Sequence, residues 1–269
     1  MQCSKAVILA RGLGTRMRRG DAAARLDSSQ AAIADSGVKA MIPIGRPFLD
    51  YVLSALADSG FNDVCLVIGP EHDAIREHYR RAATRRLRLH FAVQQQARGT
   101  ADAVLAAEQF AGGEEFVVLN SDNYYPLDVL RALRELDQPG AVMFDEAALV
   151  GNSNISPERI RSYAYAQVNS SGYLIDLIEK PDETSAASMR GNALVSMNIW
   201  RFAPEMFSYC RNVEVSPRGE YELPLAVRMA VHSGMKLRII PSHSGVLDMS
   251  VRADISAVAA RLRDIQVHL

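Results

Sequence analysis

The sequence predicts an α/β chain, a three-layer α/β/α Rossmann-like arrangement around a mainly parallel mixed sheet. Three observations carry that expectation. Short apolar runs alternate with segments of helical periodicity, the pattern of strands joined by crossover helices. The runs are apolar on consecutive residues, as strands covered on both faces must be. Glycine or a polar cluster follows several of the runs, at the strand ends where ligands of such sheets bind.

Residues 5–10 make a first strand feeding a glycine-containing loop, 10–17. Residues 21–36, rich in Ala, Asp and Ser with weak periodicity, read as a mobile inserted excursion, and 39–44 as a short ordered segment. Leu49, Val52, Leu53 and Leu56 recur at helical spacing across 48–59, and Gly60 supplies the stop. Residues 61–68 give a second strand, 73–83 a helix, 87–94 a strand and 101–110 a helix. The run 115–120 then delivers Ser121, Asp122 and Asn123 to its carboxyl end. Beyond about residue 140 the extended runs lengthen: 163–168 and 173–179 form a hairpin about the turn 169–172, and 193–202 forms a further strand. Residues 222–233 read as helix, 237–241 as a strand leading to Val246-Leu247-Asp248, and 253–269 as a terminal helix. The whole, 1–269, reads as one domain, with no stretch left for an appended second fold.

With 269 residues, 48% of them hydrophobic, the chain can bury one large core. Its 30 Lys+Arg against 31 Asp+Glu exclude the broad basic surface that nonspecific nucleic-acid binding needs. No apolar run nears the roughly 18 residues of a membrane span, so no membrane partner is expected. Cys3, Cys65 and Cys210 are widely separated and form no CxxC pair; they read as packing residues in a reducing, cytoplasmic setting. The histidines show no metal-ligand spacing.

The loop Gly12-Leu13-Gly14-Thr15-Arg16 carries the first chemical signal. Glycines let backbone N–H groups approach phosphate oxygens, while Thr15 and Arg16 add a hydroxyl and a planar cation. A dinucleotide fingerprint would need glycine where Met17 stands, and no Gly-Lys-Ser/Thr follows for a P-loop. On spacing alone, a phosphate site and a tight structural turn are equally good readings.

Later motifs, in fixed order, separate the two. Leu9-Ala10-Arg11-Gly12-Leu13-Gly14-Thr15-Arg16 is similar to the Leu-Ala-Gly-Gly-x-Gly-Thr-Arg of the sugar nucleotidyltransferases, or nucleoside-diphosphate-sugar pyrophosphorylases. Val38-Lys39-Ala40-Met41-Ile42-Pro43-Ile44 resembles that family's Pro-Lys-Pro/Ala-Met/Leu-Leu-Pro-Val, and Gln94 through Gly99-Thr100-Ala101 its Gln-x-x-x-x-Gly-Thr-Ala. Asn120-Ser121-Asp122, Glu179-Lys180-Pro181, Gly219-Glu220-Tyr221-Glu222-Leu223 and Val246-Leu247-Asp248 continue the resemblance over nearly the whole chain.

The resemblance implies a GT-A-like nucleotidyltransferase fold, residues 1–135 binding the nucleotide and 136–269 the sugar phosphate and carrying the terminal helix. It implies an enzyme that joins a nucleoside triphosphate to a sugar 1-phosphate and releases pyrophosphate, with Mg²⁺ as cofactor. Arg16, Lys39 and Asp122 are then the catalytic candidates. Arg16 suits the leaving phosphates, and Lys39 the α-phosphate and sugar phosphate. Asp122 and Asp248 are the Mg²⁺ candidates, since Mg²⁺ takes one or two carboxylates plus phosphate oxygens and water. Leu9, Ala10, Arg11, Gly12, Gly14, Thr15, Gln94, Gly99 and Thr100 are the nucleotide-binding candidates. Asn123, Ala164, Glu179, Lys180, Ser196 and Asn198 are those for the sugar phosphate. The amide of Gln94 offers a donor and an acceptor together, matching uracil or thymine, so UTP or dTTP is favoured. Relatives of this type commonly assemble as homo-oligomers.

The chain also departs from the pattern. Arg11 stands where the family has Gly or Ala, and the link between Arg16 and Lys39 is long, suggesting a lid or an extra helix. Tyr163-Ala164 replaces Tyr-Gly, Ser196-Met197-Asn198-Ile199-Trp200 replaces Asn-x-Gly-Ile/Leu-Tyr, and Met249-Ser250 replaces Gly-Thr-Pro after Asp248. Two alternatives follow: a regulatory protein that senses a sugar nucleotide without turnover, and a cytidylyltransferase acting on a non-sugar phosphate.

Overall fold

The computed structural model describes residues 2–21, 23–82, 84–179 and 193–269. Five parallel-sheet strands are β1 (Lys5–Leu9), β2 (Asp63–Ile68), β3 (Arg88–Val93), β4 (Phe116–Asn120) and, further along the chain, β6 (Gly140–Asp145). Between them β5 (Asn123–Tyr124) forms a small separate ribbon with β11 (Leu247–Asp248). The hairpin strands β7 (Ala164–Val168) and β8 (Leu174–Glu179), the long β9 (Leu194–Phe202) and β10 (Arg238–Ser242) complete the set.

The central order is β10-β6-β9-β4-β1-β2-β3. Pairing is parallel except at β9, which runs antiparallel to both β4 and β6 and also carries β7. After β3 the chain crosses back past β1 to β4. That reversal leaves a crevice beyond the carboxyl ends of β1 and β4, where an α/β sheet binds its ligand.

Both faces of the sheet are covered. On β1, Ala6 and Ile8 belong to one buried cluster and Val7 and Leu9 to the other; on β2, Val64, Leu66 and Ile68 alternate likewise with Cys65 and Val67. Strand side chains alternate by face, so a run apolar at every position needs a layer on each side.

The helices are α1 (Thr15–Arg18), α2 (Ser28–Ser36), α3 (Phe48–Asp58), α4 (Asp73–Arg81), α5 (Thr100–Ala106), α6 (Glu108–Ala111) and α7 (Leu127–Glu135). They continue as α8 (Glu146–Asn152), α9 (Pro157–Ile160), α10 (Met206–Asn212), α11 (Leu223–His232) and α12 (Asp254–Leu262). Helices α3, α7 and α12 cover the face of Ala6 and Ile8; α5, α10 and α11 cover the other.

Three expectations need correcting. The excursion 21–36 contains an ordered helix, α2, whose start is fixed by a capping box: the Asp27 carboxylate accepts the Gln30 N–H and the Gln30 side chain accepts the Asp27 N–H. The helix expected over 101–110 breaks at Ala107 into α5 and α6. The terminal helix ends at Leu262, its last buried residue, and the tail then lies on α3, where the His268 N–H donates to Ser54 Oγ at 3.0 Å. The hairpin about the turn 169–172 and the helix over 222–233 follow the sequence reading closely. Among the described residues no helix is long and apolar enough to cross a membrane, and the three cysteines are buried and unpaired.

Candidate active site

A cleft of about 310 Å³ opens at the carboxyl ends of β1 and β4. Its wall contains Leu9 through Arg16, Lys39, Gln94, Gly99, Thr100 and Asp122. Every expected catalytic and nucleotide-binding candidate therefore meets in one place, although up to 113 positions of chain separate them.

The glycine loop has its shape for identifiable reasons. Gly14 takes a left-handed backbone (φ 61°), and a Cβ there would lie 2.2 Å from the carbonyl oxygen of Gly37. Gly37, at the end of α2, is also left-handed (φ 77°), and its own Cβ would lie 2.7 Å from the Leu13 carbonyl oxygen. Backbone thus packs on backbone, with two glycines because nothing larger fits. Gly12, by contrast, has open space where a Cβ would stand, on the cleft side of the loop. Arg16 is exposed, with one long contact from Nη2 to Ser250 Oγ at 3.4 Å, so its guanidinium is available to an anion.

Arg11 turns away from the loop to Glu71, just past β2, with Nε and Nη2 each 3.3 Å from a carboxylate oxygen. Its third nitrogen, Nη1, is buried with no partner among the described residues. Beside the pair, the His72 ring accepts the Gly69 N–H at 3.3 Å, and burial pushes its pKa down, favouring the neutral ring.

Lys39 opens a 3-10 turn (Lys39–Met41) and places its ammonium 2.7 Å from Asp122 Oδ2. Asp122 follows β4 and is tied by its carbonyl to the Met249 N–H at 2.8 Å, which brings the chain after β11 against the same strand end. Asp248 is nearly fully buried. It is ion-paired with Arg159 and accepts from Asn123 Nδ2 at 3.1 Å. Arg159 also holds Asp254 at 2.7 Å. Burial, then the charge of Asp122, push the Asp248 carboxyl up from the ordinary range, while Arg159 opposes them. The donor set of hard oxygens suits Mg²⁺, with Asp122 open on the cleft side and Asp248 already engaged by Arg159 and Asn123. Among the described residues no group of three or more His, Cys, Asp or Glu side chains forms a closed metal cage.

Gln94 follows β3 and is buried, its backbone N–H donating to the Ile68 carbonyl at 2.9 Å. Its side-chain nitrogen donates to the Gly99 carbonyl at 3.0 Å and to Asp102 Oδ2 at 2.8 Å. The Gly99 turn is held from outside, because a Cβ there would lie 2.5 Å from the Tyr221 carbonyl oxygen. That carbonyl accepts the Ala101 N–H, the Tyr221 N–H donates to Arg98, and Thr100 Oγ1 accepts the Leu223 N–H at the start of α11. The segment resembling Gly-Glu-Tyr-x-Leu thus buttresses the turn by backbone contacts, and Glu220 reaches the cleft wall.

The sugar-phosphate candidates lie apart from this wall. Asn123 is buried in hydrogen bonds to Asp248 and Tyr125. Ala164 and Glu179 face each other across the β7–β8 hairpin, and Ser196 is buried on β9. Asn198 has a left-handed backbone (φ 55°), unusual inside a strand, at the irregularity in the β6–β9 register. Its Oδ1 is buried without a partner among the described residues. Continuing the β4–β9 register would set Asn198 opposite Asn120, next to Asp122, so the distortion falls where β9 reaches the cleft. Lys180 and Pro181 lie outside the described residues.

Sequence reasoning missed Asp102, Arg159 and Glu71. Asp102 could have been found, since it directly follows the Gly99-Thr100-Ala101 motif in the first turn of α5. Arg159 and Glu71 have no local signal, because each meets its partner across a long stretch of chain.

A family profile described as nucleotidyl transferase matches residues 5–244. UTP–glucose-1-phosphate uridylyltransferase AglF of Haloferax volcanii is 26% identical over 264 residues, covering 97% of each chain. A glucose-1-phosphate thymidylyltransferase of Streptomyces griseus is 26% identical over 235 residues, covering 87% of this chain and 59% of that protein. The crystal structure of a UDP-glucose pyrophosphorylase complexed with UDP-glucose superposes with a TM-score of 0.74 at 16% identity, covering 98% of this chain and 100% of that one.

Proposed function

The chain belongs to the nucleotidyl transferase family, and from that premise we propose that it transfers a nucleotidyl group from UTP or dTTP to a sugar 1-phosphate, with Mg²⁺, releasing pyrophosphate. The observation that carries this reading is the Lys39–Asp122 pair, 2.7 Å apart, in a cleft walled by the glycine loop. A cation and a carboxylate side by side at the strand end suit a reaction between two anions.

In that reaction an oxygen of the sugar phosphate attacks the α-phosphorus in line. A new oxygen–phosphorus bond forms, the bond to the bridging oxygen breaks, and pyrophosphate leaves with its electrons. The nucleophile is already ionised, so no general base is needed. What the site must supply is cancellation of charge. Arg16, exposed on the loop, receives the β- and γ-phosphates, and Lys39 lies against the α-phosphate and the incoming phosphate. Bound Mg²⁺ would neutralise the triphosphate, held by Asp122 with Asp248 as the second carboxylate. On this reading residues 1–135 hold the nucleotide, helped by Glu220 and the Tyr221 backbone. Residues 136–269 hold the sugar phosphate through Ala164, Glu179, Lys180, Ser196 and Asn198, with Asn123 set behind Asp248.

Pyrophosphate release should be measured across UTP, dTTP, GTP, CTP and ATP with several sugar 1-phosphates, with and without Mg²⁺. Mg²⁺-dependent release with UTP or dTTP is expected. Nucleotide binding without pyrophosphate from any pair would replace this reading with that of a sensor.

A further inference from the structure

Two asparagines beside Asp248 have amides that the protein holds. Asn123 donates to Asp248 Oδ2 at 3.1 Å, and Asn154 grips the Asp248 backbone from both sides, its nitrogen 2.8 Å from the carbonyl and its oxygen 2.8 Å from the N–H. Asn198 on β9 is different. Its Oδ1 is buried with no partner among the described residues, on a side chain that is itself half-buried. The terminal bond of an asparagine turns easily, so a ligand can draw that oxygen out.

The backbone of Asn198 is the second oddity. A φ of 55° inside a strand costs energy for a residue with a Cβ, and glycine, which stands here in the resembled pattern, adopts it freely. A bend alone would be better served by glycine. Strain and an unpaired polar atom on one residue mark a group kept for a ligand.

The place of Asn198 in the sheet indicates which part of the ligand it meets. Strand β9 runs antiparallel to β4 and β6, so its first half lies at the carboxyl ends of both. Across the sheet the order is β6-β9-β4-β1-β2-β3, with Asp122 following β4 and Gln94 following β3. A nucleotide laid over β1 to β3, its phosphates at Lys39 and Asp122, sets the sugar over β9. A sugar hydroxyl both donates and accepts, so it pairs with either end of an amide, whereas an ionised phosphate oxygen only accepts and is repelled by Oδ1. We propose that the Asn198 side chain is a specificity-determining residue whose amide takes a hydroxyl of the sugar, a contact that glycine at this position lacks. The proposal rests on the reading of the cleft as a sugar-nucleotide site.

Binding of UDP, UDP-glucose, UDP-galactose and UDP-xylose should be measured by calorimetry on the intact chain and on Asn198→Gly. Galactose inverts one hydroxyl of glucose and xylose lacks the C6 hydroxymethyl group, while UDP is common to all, so each ratio to UDP isolates the sugar. The intact chain should bind at least one of the three sugar nucleotides about tenfold more tightly than UDP. Asn198→Gly should bring that ratio down by about tenfold and leave UDP binding as it was. Its thermal midpoint should hold, because glycine relieves the backbone.

An unchanged ratio in Asn198→Gly, or equal weakening of UDP and the sugar nucleotides, overturns the proposal and leaves Asn198 as a bend in β9. If that variant does not fold, Asn198→Ala gives the same reading, since it also removes the amide. Amide-dependent binding of a sugar nucleotide without pyrophosphate release from any substrate pair would sink the catalytic reading and leave the Asn198 contact standing. Failure of UDP and all three sugar nucleotides to bind would overturn both.

Discussion

Lys39 and Asp122 hold each other with side chains 14% and 22% exposed, enough burial to orient them and enough access for a ligand to reach both. An ammonium in that setting stabilises charge that develops in the transition state without having to be rearranged first. Replacing Lys39 by Met keeps the length of the side chain and removes the charge. We expect kcat/KM to fall by about 10²–10³ in steady-state pyrophosphate release, the usual loss when one such electrostatic contact is removed. The thermal midpoint should move little, because the site is a cleft and not a core. A fall confined to KM would show that Lys39 only binds substrate.

Among elements, the outer strands depend on a polar clamp as well as apolar burial. Asp63, at the start of β2, accepts two bonds from Arg88 of β3, at 2.7 and 2.5 Å, with His90 3.4 Å away. The hydrogen bonds from Arg88, helped by His90, hold the Asp63 carboxyl below the usual carboxylate range despite partial burial. A carboxyl with a lowered folded pKa contributes stability that is fully present above its unfolded pKa, about 3.9, and is lost as pH falls through the folded value. Urea unfolding between pH 5 and more acidic values should therefore show a steeper acid limb in the intact chain than in Asp63→Asn. Parallel limbs would remove Asp63 from that role.

The elements also differ in how readable they are. Strands β1, β2 and β4 were legible because both of their faces are buried, which leaves uninterrupted apolar runs. Helix α3 was legible from Leu49, Val52, Leu53 and Leu56, all buried. Helix α2 was legible only as one of two options for the long link between Arg16 and Lys39, because its Ala- and Ser-rich residues carry no strong apolar stripe and its ends are set by Asp27, Gln30 and Gly37 instead. No element was read between 124 and 162, although Val129, Leu130 and Leu133 of α7 are buried at helical spacing. The cleft residues were legible because each sits in a short local run, at a strand end for Gly12–Arg16, Gln94 and Asp122, on a turn for Lys39 and at a helix start for Thr100. Arg159 was not: its match to Asp248 is a tertiary fact that neighbouring sequence does not encode.

At the scale of the molecule, Arg201 ties the layers together. From β9 it pairs with Glu115, ahead of β4, and donates to the carbonyls of Leu133 and Arg134 at 3.2 and 3.1 Å and to that of Leu136. The carbonyls of Leu133 and Leu136 are acceptors at the end of α7 that no later helical N–H reaches, while that of Arg134 also accepts the Cys3 N–H at 3.1 Å. Arg201→Met leaves Glu115, one-third exposed, without this partner and removes the donor to the helix terminus, where each buried acceptor left unpaired costs about 1–3 kcal/mol. For a chain of this size we expect the thermal midpoint to fall by roughly 10 °C, read by calorimetry. A shift of about a degree would mean that water satisfies those carbonyls equally well.

The contact of Gly14 with Gly37 has a use in measurement. Because two backbones touch with no side chain between them, displacement of the loop by a bound triphosphate must be passed to α2, whose outer side is exposed at Ala32. All three native cysteines are buried, so a cysteine placed by Ala32→Cys would take a fluorescent label almost alone. Its emission should change on addition of UTP and return on dilution, giving an optical reading of occupancy that needs no turnover. A silent label on a chain that calorimetry shows to be saturated would mean that the loop receives its ligand without moving.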